Sequence, residues 1–343
     1  MNDEQKIKQY GLKTMMALRN LFKSVIKVHP QAFENISSES KGYMGVKNVP
    51  YISDEFIQFM ERKGYLLHTV DKASLGGRAI DFDLQNPITG RPMTGSSSGT
   101  AINVFLEIND IGVGTDGGGS VLGPAMALNL IGIIHPGFNR FSKEVVKQST
   151  DNISFVPTIG FMTKKLTILE EIFSIFDLIH DFEEFELMNP LKIGSDCQID
   201  LNELKVETAK IDLSYKYTSS REELISNLKE MLGHFDIVIS KEGPIDLVGI
   251  GDSILGHFDS TTREIQMKSN KGFLKVVNMC GLVGLTVPSE NLGTGYLIMC
   301  SPENEQAMKM VVKIAQKLCT VNDEMSANYF RKTELYWQDG ILV

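Results

Sequence analysis

The sequence has few of the residues that mark secreted, metal-binding or membrane-spanning proteins. Only 4 of its 343 residues are cysteines. These residues, Cys197, Cys280, Cys300 and Cys319, lack the close pairing typical of zinc sites and disulfide frameworks. No apolar run approaches the ~18 residues that a membrane-spanning helix needs. We therefore expect buried thiols in a reducing, cytoplasmic environment and no membrane span.

The chain also lacks an excess of basic charge. Its formal net charge is −9 at pH 7, and its pI is near 5.3. Binding to nucleic acid requires a basic face that neutralises phosphates, so we expect no nucleic-acid partner. One basic amphipathic stretch, "IKQYGLKTMMALRNLFKSVIKV" at 7–28, mildly resembles a targeting segment. It has no long apolar stretch and no small-residue cleavage site, so its spacing predicts an ordinary surface helix over 5–28.

Two segments stand out because they are rich in glycine and serine within an apolar region. They read "TGSSSGT" at 94–100 and "TDGGGS" at 115–120. The stretch "GVGTDG" at 112–117 fits the G-x-G-x-x-G pattern of dinucleotide sites. Such a site also needs a carboxylate about twenty residues later, and residues 131–140 contain none. Because no Gly-Lys-Ser/Thr follows the glycines either, the sequence disfavours nucleotide binding.

Two roles remain open for these segments. Small residues can let a helix pack closely on a strand, although this explains poorly why four serines occupy an apolar region. Alternatively, the segments serve acyl transfer by a serine. A glycine run can turn several backbone amides toward one oxyanion, and a serine directly after the run lies beside those amides. Ser120 has this position.

A serine nucleophile needs a base, and the six histidines offer no suitable candidate. Each of them fits a structural or surface role better. A lysine can act as the base if burial lowers its pKa enough to leave it neutral. Lys47, in "GVKNVP", is the lysine flanked by apolar and turn residues rather than by other charges. Taken alone, it could equally be a surface residue.

At this point the sequence resembles the amidase signature hydrolases. Their glycine–serine segment and their D-x-G-G-S segment match residues 94–120 without a gap. The resemblance implies that Ser120 is the nucleophile and Lys47 the base. It also implies that Ser96 bridges the two and follows a cis peptide bond, Gly95–Ser96. No metal or organic cofactor is implied.

The resemblance assigns supporting roles as well. The oxyanion hole would be formed by the amides of the glycine run and the nucleophile: Gly117, Gly118, Gly119 and Ser120. Ser97 would support the network by hydrogen bonding, and Asp116 would hold the loop. Four outlying segments are similar to the family too, at 29–36, 130–142, 155–176 and 276–288.

Several positions depart from the family pattern. Asn48 replaces an aspartate, Ser98 a glycine, Thr100 a serine, Leu122 an arginine and His135 a lysine. The arginine can brace the catalytic loop by pairing with the neighbouring aspartate, and leucine cannot do this. Since residues 121–134 are apolar and no basic cluster lies near them in sequence, we expect a neutral, partly apolar acyl group in the substrate.

Alternating helix and strand patterns predict an α/β fold, a mixed sheet flanked by helices on both faces. We find no internal repeat and no low-complexity linker, so we predict one amidase-like domain over 1–343. It would consist of an N-terminal helical lead-in (1–40), a catalytic core (41–180), a variable polar segment (181–272) and a C-terminal return to the core (273–343).

The function implied is cleavage of a C–N amide bond through a Ser-Ser-Lys triad and an acyl-enzyme, with a small-molecule amide as substrate. Two alternatives stay open: an acyl- or amidotransferase that uses the same acyl-enzyme, and a non-catalytic binding relative. The sequence does not choose between a homodimer and a complex with a partner subunit.

Overall fold

The computed structural model describes residues 3–143, 145–179, 190–320, 324–332 and 334–337. The helices are α1 Asp3–Arg19, α2 Gln31–Glu34, α3 Asp54–Arg62, α4 Ser98–Phe105, α5 Leu122–Ala127, α6 Thr167–Ile175, α7 Arg221–Leu232, α8 Ser260–Met267, α9 Glu305–Leu318, α10 Glu324–Phe330 and α11 Glu334–Trp337. The strands are β1 Val25–Val28, β2 Gly42–Lys47, β3 Tyr65–Asp71, β4 Ile80–Gln85, β5 Pro92–Thr94, β6 Ile111–Asp116, β7 Ile131–Ile134, β8 Lys147–Gln148, β9 Ser154–Phe155, β10 Thr158–Thr163, β11 Lys192–Ser195, β12 Glu207–Lys210, β13 Ile237–Glu242, β14 Val283–Pro288 and β15 Gly295–Cys300.

One large mixed sheet organises the described chain. Its 11 strands follow the order β1-β3-β2-β6-β10-β7-β14-β15-β13-β11-β12. Strand β2 is parallel to β3 and β6, and β11 is parallel to β12 and β13. The other neighbours in the sheet are antiparallel. This arrangement confirms the predicted mixed sheet.

Two apolar cores, one on each face, bury the sheet. The first core includes Phe56 of α3, Ile172 of α6 and Val311 of α9. The second core draws its residues from α1, α4, α5 and α7, among them Met16, Ile102, Ala125 and Leu228. Because both faces are covered, central strands such as β2 are buried at every position. Helices on both faces were predicted, and the structure confirms them.

The start of the chain differs from its prediction. The single helix expected over 5–28 ends at Arg19 and is followed by strand β1. Asn20 and Lys23 have φ angles of 46° and 55°, which a right-handed helix cannot contain. The Asn20 side-chain amide then closes the turn, since it donates to the Val25 carbonyl (2.8 Å) and accepts from the Val25 amide (3.0 Å).

The sequence also makes local predictions: Ser53 as the N-cap of a helix, residues 219–233 as a capped helix, residues 71–93 as a loop, and residues 252–272 as a polar stretch without clear periodicity. Ser53 caps α3 by accepting a hydrogen bond from the Phe56 amide at 3.1 Å, and a capping box at Ser220 begins α7. The loop expected before the serine segment contains the hairpin β4–β5, and the polar stretch 252–272 contains α8. Residues 181–189, at the start of the predicted variable segment, lie outside the described residues.

The described helices include none that is both long and apolar enough to cross a membrane.

The parallel pairing of β2 with β6 positions the predicted site. Both strands end at the same edge of the sheet, β2 at Lys47 and β6 at Asp116. Helix α4 lies directly over β6, where a Cβ at Gly114 would come within 2.5 Å of the Ser97 hydroxyl. Glycine in β6 therefore lets the serine segment approach the ends of both strands.

Candidate active site

A buried lysine and a serine hydroxyl form the centre of the candidate site. Lys47, the last residue of β2, is 3% exposed. Its Nζ donates to Ser96 Oγ at 2.7 Å and to Thr115 Oγ1 at 2.9 Å. The carbonyl oxygen of Thr115 is a third, longer contact at 3.4 Å. Among the described residues, the ammonium thus has only uncharged hydrogen-bond acceptors.

The surroundings of Lys47 favour its neutral form. Burial lowers its pKa to about 7; Asp116 opposes this shift and Lys147 adds to it. A lysine with this pKa is a substantial fraction neutral amine near pH 7, whereas an exposed lysine is almost wholly protonated. The amine can therefore accept a proton through its hydrogen bond with Ser96.

Asp116 binds the loop that follows β6. Its Oδ1 accepts from the Gly119 amide at 2.7 Å, and its Oδ2 accepts from the amides of Val121 and Leu122 at 2.6 and 3.2 Å. Burial raises the pKa of this carboxyl, while the three amides and Lys47 lower it. Backbone amides thus take the place of the arginine that the family pattern has at position 122.

This geometry changes the expected anion hole at one position. The Gly119 N–H points at Asp116, so it is not available to an oxyanion while that hydrogen bond exists. The amides of Gly118 and Ser120 form no hydrogen bond with the described residues, and both residues border the adjacent cavity. The candidate donors at the cavity are therefore the amides of Gly118 and Ser120, whereas Gly117, also expected as a donor, is not among the residues that line it.

Ser120 faces a cavity. It is half-buried, and its hydroxyl makes no hydrogen bond within the described chain. The cavity has a volume of 620 Å³, and Gly95, Gly118 and Gly119 also line it. Lys47 is hydrogen-bonded to Ser96, but the hydroxyls of Ser96 and Ser120 are not hydrogen-bonded to each other.

The peptide bond before Ser96 is trans, so the prediction of a cis bond at Gly95–Ser96 is wrong. The described residues contain a cis bond at Gly243–Pro244 instead. At the serine segment, Gly95 makes the turn with a φ angle of +76°. A side chain there would also collide with Pro124, whose Cδ lies 2.6 Å from the ideal Cβ position. Glycine thus reorients the chain by a positive φ angle.

Ser97 does not support the network as expected. Its hydroxyl is buried and has no hydrogen-bond partner among the described residues. It is also the N-cap residue of α4, without a side-chain capping bond. The reason is packing, because the side chain points toward Gly114 of β6. Its neighbour Ser98 instead donates to Asp81 Oδ2 at 2.6 Å.

Charged side chains that the sequence analysis did not place at the site also line the cavity. Residues 121–134 are apolar, but they lie in the core: Val121 and Leu122 are fully buried. One wall comes from 217–275 and brings five basic side chains to the cavity, Arg221, His257, Arg263, Lys271 and Lys275. Asp151, Glu222 and Asp259 lie among them.

Sequence reasoning missed two parts of this site. Thr115 directly precedes the predicted loop, yet nothing in its spacing marks it as a partner of Lys47. The basic wall is distant in sequence from the motif, and its cations are spread over more than fifty residues without a pattern. Only the three-dimensional structure brings them to one cavity.

Comparison with known sequences identifies the relatives of this chain. The Amidase family model matches residues 84–206, which include Ser96 and Ser120. The mitochondrial A-type subunit of glutamyl-tRNA(Gln) amidotransferase from Yarrowia lipolytica (strain CLIB 122 / E 150) is 34% identical over 83 residues. That alignment covers 24% of this chain and 17% of the relative, so it spans a small part of either protein.

Known structures share the fold along nearly the whole chain. A bacterial aryl acylamidase of the amidase signature family superposes with a TM-score of 0.64 at 13% identity, over 96% of this chain and 95% of that one. The A-type subunit of glutamyl-tRNA(Gln) amidotransferase from Thermotoga maritima gives a TM-score of 0.57 at 18% identity, over 91% and 90%. The match to the Amidase model over 84–206 and the shared fold both support the resemblance seen in the motifs of this chain.

Proposed function

We propose that the protein is an amidohydrolase that cleaves a C–N amide bond through Lys47, Ser96 and Ser120. The observation that carries the proposal is the hydrogen bond between the buried Lys47 amine and Ser96, 2.7 Å long. This hydrogen bond lies next to Ser120, which faces a cavity large enough for a small-molecule amide. The family match supports amide cleavage as the general chemistry.

The reaction proceeds in two steps. Ser120 Oγ attacks the amide carbonyl; its proton passes to Ser96 Oγ while Ser96 passes its own proton to neutral Lys47. The oxyanion accepts hydrogen bonds from amides of the 117–120 loop, and one such donor typically contributes about 2.7–4 kcal/mol to transition-state stabilisation. The proton then returns through Ser96 to the leaving amine. This leaves an ester between the acyl group and Ser120.

Water resolves the acyl-enzyme in the second step. Lys47 and Ser96 take a proton from the water as it attacks the ester, and then return a proton to Ser120. Another amine in place of water would give acyl transfer from the same intermediate. The local similarity to one component of an amidotransferase keeps this alternative open, and with it a partner subunit or a homodimer. Trapping with hydroxylamine distinguishes the two outcomes, because a transferase forms more hydroxamate than acid.

Intact mass spectrometry after treatment with a fluorophosphonate tests the proposal directly. We expect one adduct on the native protein and none on Ser120→Ala, because the probe bonds to an activated serine. Ser120→Ala should also lose turnover while its melting temperature stays within a few degrees, since Ser120 faces a cavity. An unlabelled native protein, or full turnover by the variant, would contradict the nucleophile assignment and favour a non-catalytic relative.

The thiols fit the compartment that we propose. Cys197, Cys280, Cys300 and Cys319 are all free, and burial raises the pKa of each. Cys300 is buried and the other three are half-buried. Free thiols are typical of proteins in a reducing compartment, so we propose the cytoplasm as the location.

A further inference from the structure

One cation in the cavity has no acidic partner. Lys275 is half-buried and lines the cavity, and within the described residues its ammonium makes no hydrogen bond and no ion pair. Its backbone runs along the glycine loop, because a Cβ at Gly118 would lie 3.6 Å from the Lys275 carbonyl oxygen. The preceding carbonyl, of Leu274, lies 2.9 Å from the ideal Cβ position of Gly119. Lys275 is thus beside the loop that carries Ser120.

Arg221 and Lys271, the less exposed of the neighbouring cations, differ from Lys275 because they have acidic partners, whereas Arg263 is exposed to solvent. Arg221 forms an ion pair with Asp151. Lys271 Nζ is paired with Asp246 Oδ2 at 2.6 Å. Their charges are therefore compensated within the protein, whereas the charge of Lys275 is not.

The charge of Lys275 is present at neutral pH. Burial lowers its pKa to about 8, which still leaves most molecules protonated at pH 7. The nearby charges act in both directions: Arg221 and Lys271 lower the pKa, and Glu242 and Asp151 raise it. A partly buried ammonium without a counterion is unfavourable, and an anion placed beside it relieves that cost.

The segment that carries Lys275 is held in place. Glu242, fully buried at the end of β13, accepts hydrogen bonds from the amides of Gly272 and Phe273 at 2.8 and 2.6 Å. These bonds tie the residues just before Lys275 to the central sheet. The ammonium therefore extends from a fixed backbone into the cavity, as a binding group for a substrate requires.

We propose that Lys275 binds a carboxylate of the substrate, so that the site selects an amide bearing this anionic group over the neutral amide of the same shape. This inference rests on the proposed amide hydrolysis. It names a specificity residue that the family motifs do not contain, and it reverses the neutral substrate expected from the sequence.

A binding experiment tests the inference without turnover. Every sample carries Ser120→Ala, so that no amide is hydrolysed, and is titrated calorimetrically with malonate, succinate and glutarate, the acids that the corresponding amides would release, and with glutaramide as the neutral comparison. We expect at least one dicarboxylate to bind more tightly than glutaramide. Lys275→Met should weaken that binding at least tenfold, Lys275→Arg should largely keep it, and Lys268→Met, an exposed lysine of the same region, should leave it unchanged. Equal affinity with Lys275 and with Lys275→Met, or no dicarboxylate binding, would overturn the inference.

A kinetic experiment separates the inference from the proposed function. Each amide of a dicarboxylic acid is compared with its diamide, for example glutaramate with glutaramide. In Lys275→Met, kcat/KM for the acidic amide should fall at least tenfold, mainly through KM, and stay within twofold for the diamide. Fluorophosphonate labelling of Ser120 reports the proposed function independently. Labelling without any preference for the acidic amide refutes only the role of Lys275, whereas absence of labelling refutes the amidase itself.

Discussion

At the scale of single residues, the candidate site depends on the buried amine of Lys47, whose protonated form is energetically unfavourable. An amine in a buried, uncharged environment destabilises its protonated form, and this same effect produces the neutral base that catalysis needs. Lys47 should therefore reduce the stability of the fold at the pH where its neutral form becomes useful.

Replacing Lys47 by methionine should reveal this conflict. The folded pKa of Lys47 is about 7, below the ordinary lysine value near 10.4 that it regains on unfolding. Between these values the unfolded chain binds a proton that the folded chain does not, so native stability rises with pH. Lys47→Met should remove this slope and be inactive. We compare the free energy of unfolding of Lys47→Met with that of native protein at each pH. This difference, variant minus native, should be about 2–3 kcal/mol larger at pH 6.5 than at pH 9.5.

Urea denaturation at both pH values, followed by fluorescence, measures this difference. Lys192→Met is the control, since Lys192 is exposed and should show no change with pH relative to the native protein. Identical pH dependence in Lys47→Met and native protein would mean that Lys47 titrates as an ordinary exposed lysine.

A second test at this scale compares how alanine at Ser97 and at Ser98, two adjacent residues of the serine segment, changes the stability of the fold. Ser97 Oγ is buried without a partner among the described residues, so Ser97→Ala should leave the free energy of unfolding unchanged or raise it by up to about 1 kcal/mol. Ser98→Ala should instead lower it by about 1–3 kcal/mol, because Asp81 would lose a buried hydrogen bond. Thermal denaturation of the two variants checks the order. A larger loss in Ser97→Ala would indicate that Ser97 has a hydrogen-bond partner after all.

At the scale of elements, patterns within one helix or strand were predicted well, and the boundaries less so. Ser53 and Ser220 mark helix starts because a side-chain oxygen can accept the free amides there, and this depends only on local sequence. The end of α1 was not predicted because the helical spacing of apolar residues continues beyond Asn20. Its left-handed conformation is stabilised by a hydrogen bond to Val25, which belongs to the next strand.

The turn at Asn20 should respond differently to two substitutions. Asn20→Gly keeps the positive φ angle and loses the side-chain hydrogen bonds, whereas Asn20→Ala loses the hydrogen bonds and also strains the backbone. A non-glycine residue in this conformation costs roughly 1–2 kcal/mol. Asn20→Ala should therefore be about 1 kcal/mol less stable than Asn20→Gly in urea denaturation. Both should keep full activity, since Asn20 does not line the cavity that Ser120 faces. Equal stability would show that the hydrogen bonds alone matter.

At the scale of the whole molecule, the sequence predicted one side of the site and missed the other. Lys47, Ser96 and Ser120 lie in short motifs whose order and spacing can be read directly, and the structure brings Lys47 and Ser96 into contact. The second wall, which includes Arg221 and Lys275, is assembled by long-range packing of a polar segment. Charge scattered in sequence does not reveal which side chains will face one cavity, so the sequence did not predict this wall.

The two sides together predict an unusual pH dependence. Hydrolysis needs neutral Lys47, so activity rises as pH passes through about 7. Binding of a carboxylate needs protonated Lys275, so it weakens as pH passes through about 8. For glutaramate, kcat/KM should therefore be bell-shaped with a narrow maximum between these values. For glutaramide it should rise and reach a plateau, because no carboxylate contacts Lys275. The charged groups that set these limits are Asp116 and Lys147 around Lys47, and Arg221, Lys271, Glu242 and Asp151 around Lys275.

Rate profiles for both amides between pH 5.5 and pH 10, at constant ionic strength, check this prediction. Lys275→Met serves as the matched variant: it should convert the bell for glutaramate into the plateau seen with glutaramide and leave the rise near pH 7 in place. If glutaramate kept its alkaline decline in Lys275→Met, another group would be responsible for that limb. If the rise near pH 7 were absent from native protein with both amides, Lys47 would not be the base. The two limbs thus report separately on the two sides of the cavity.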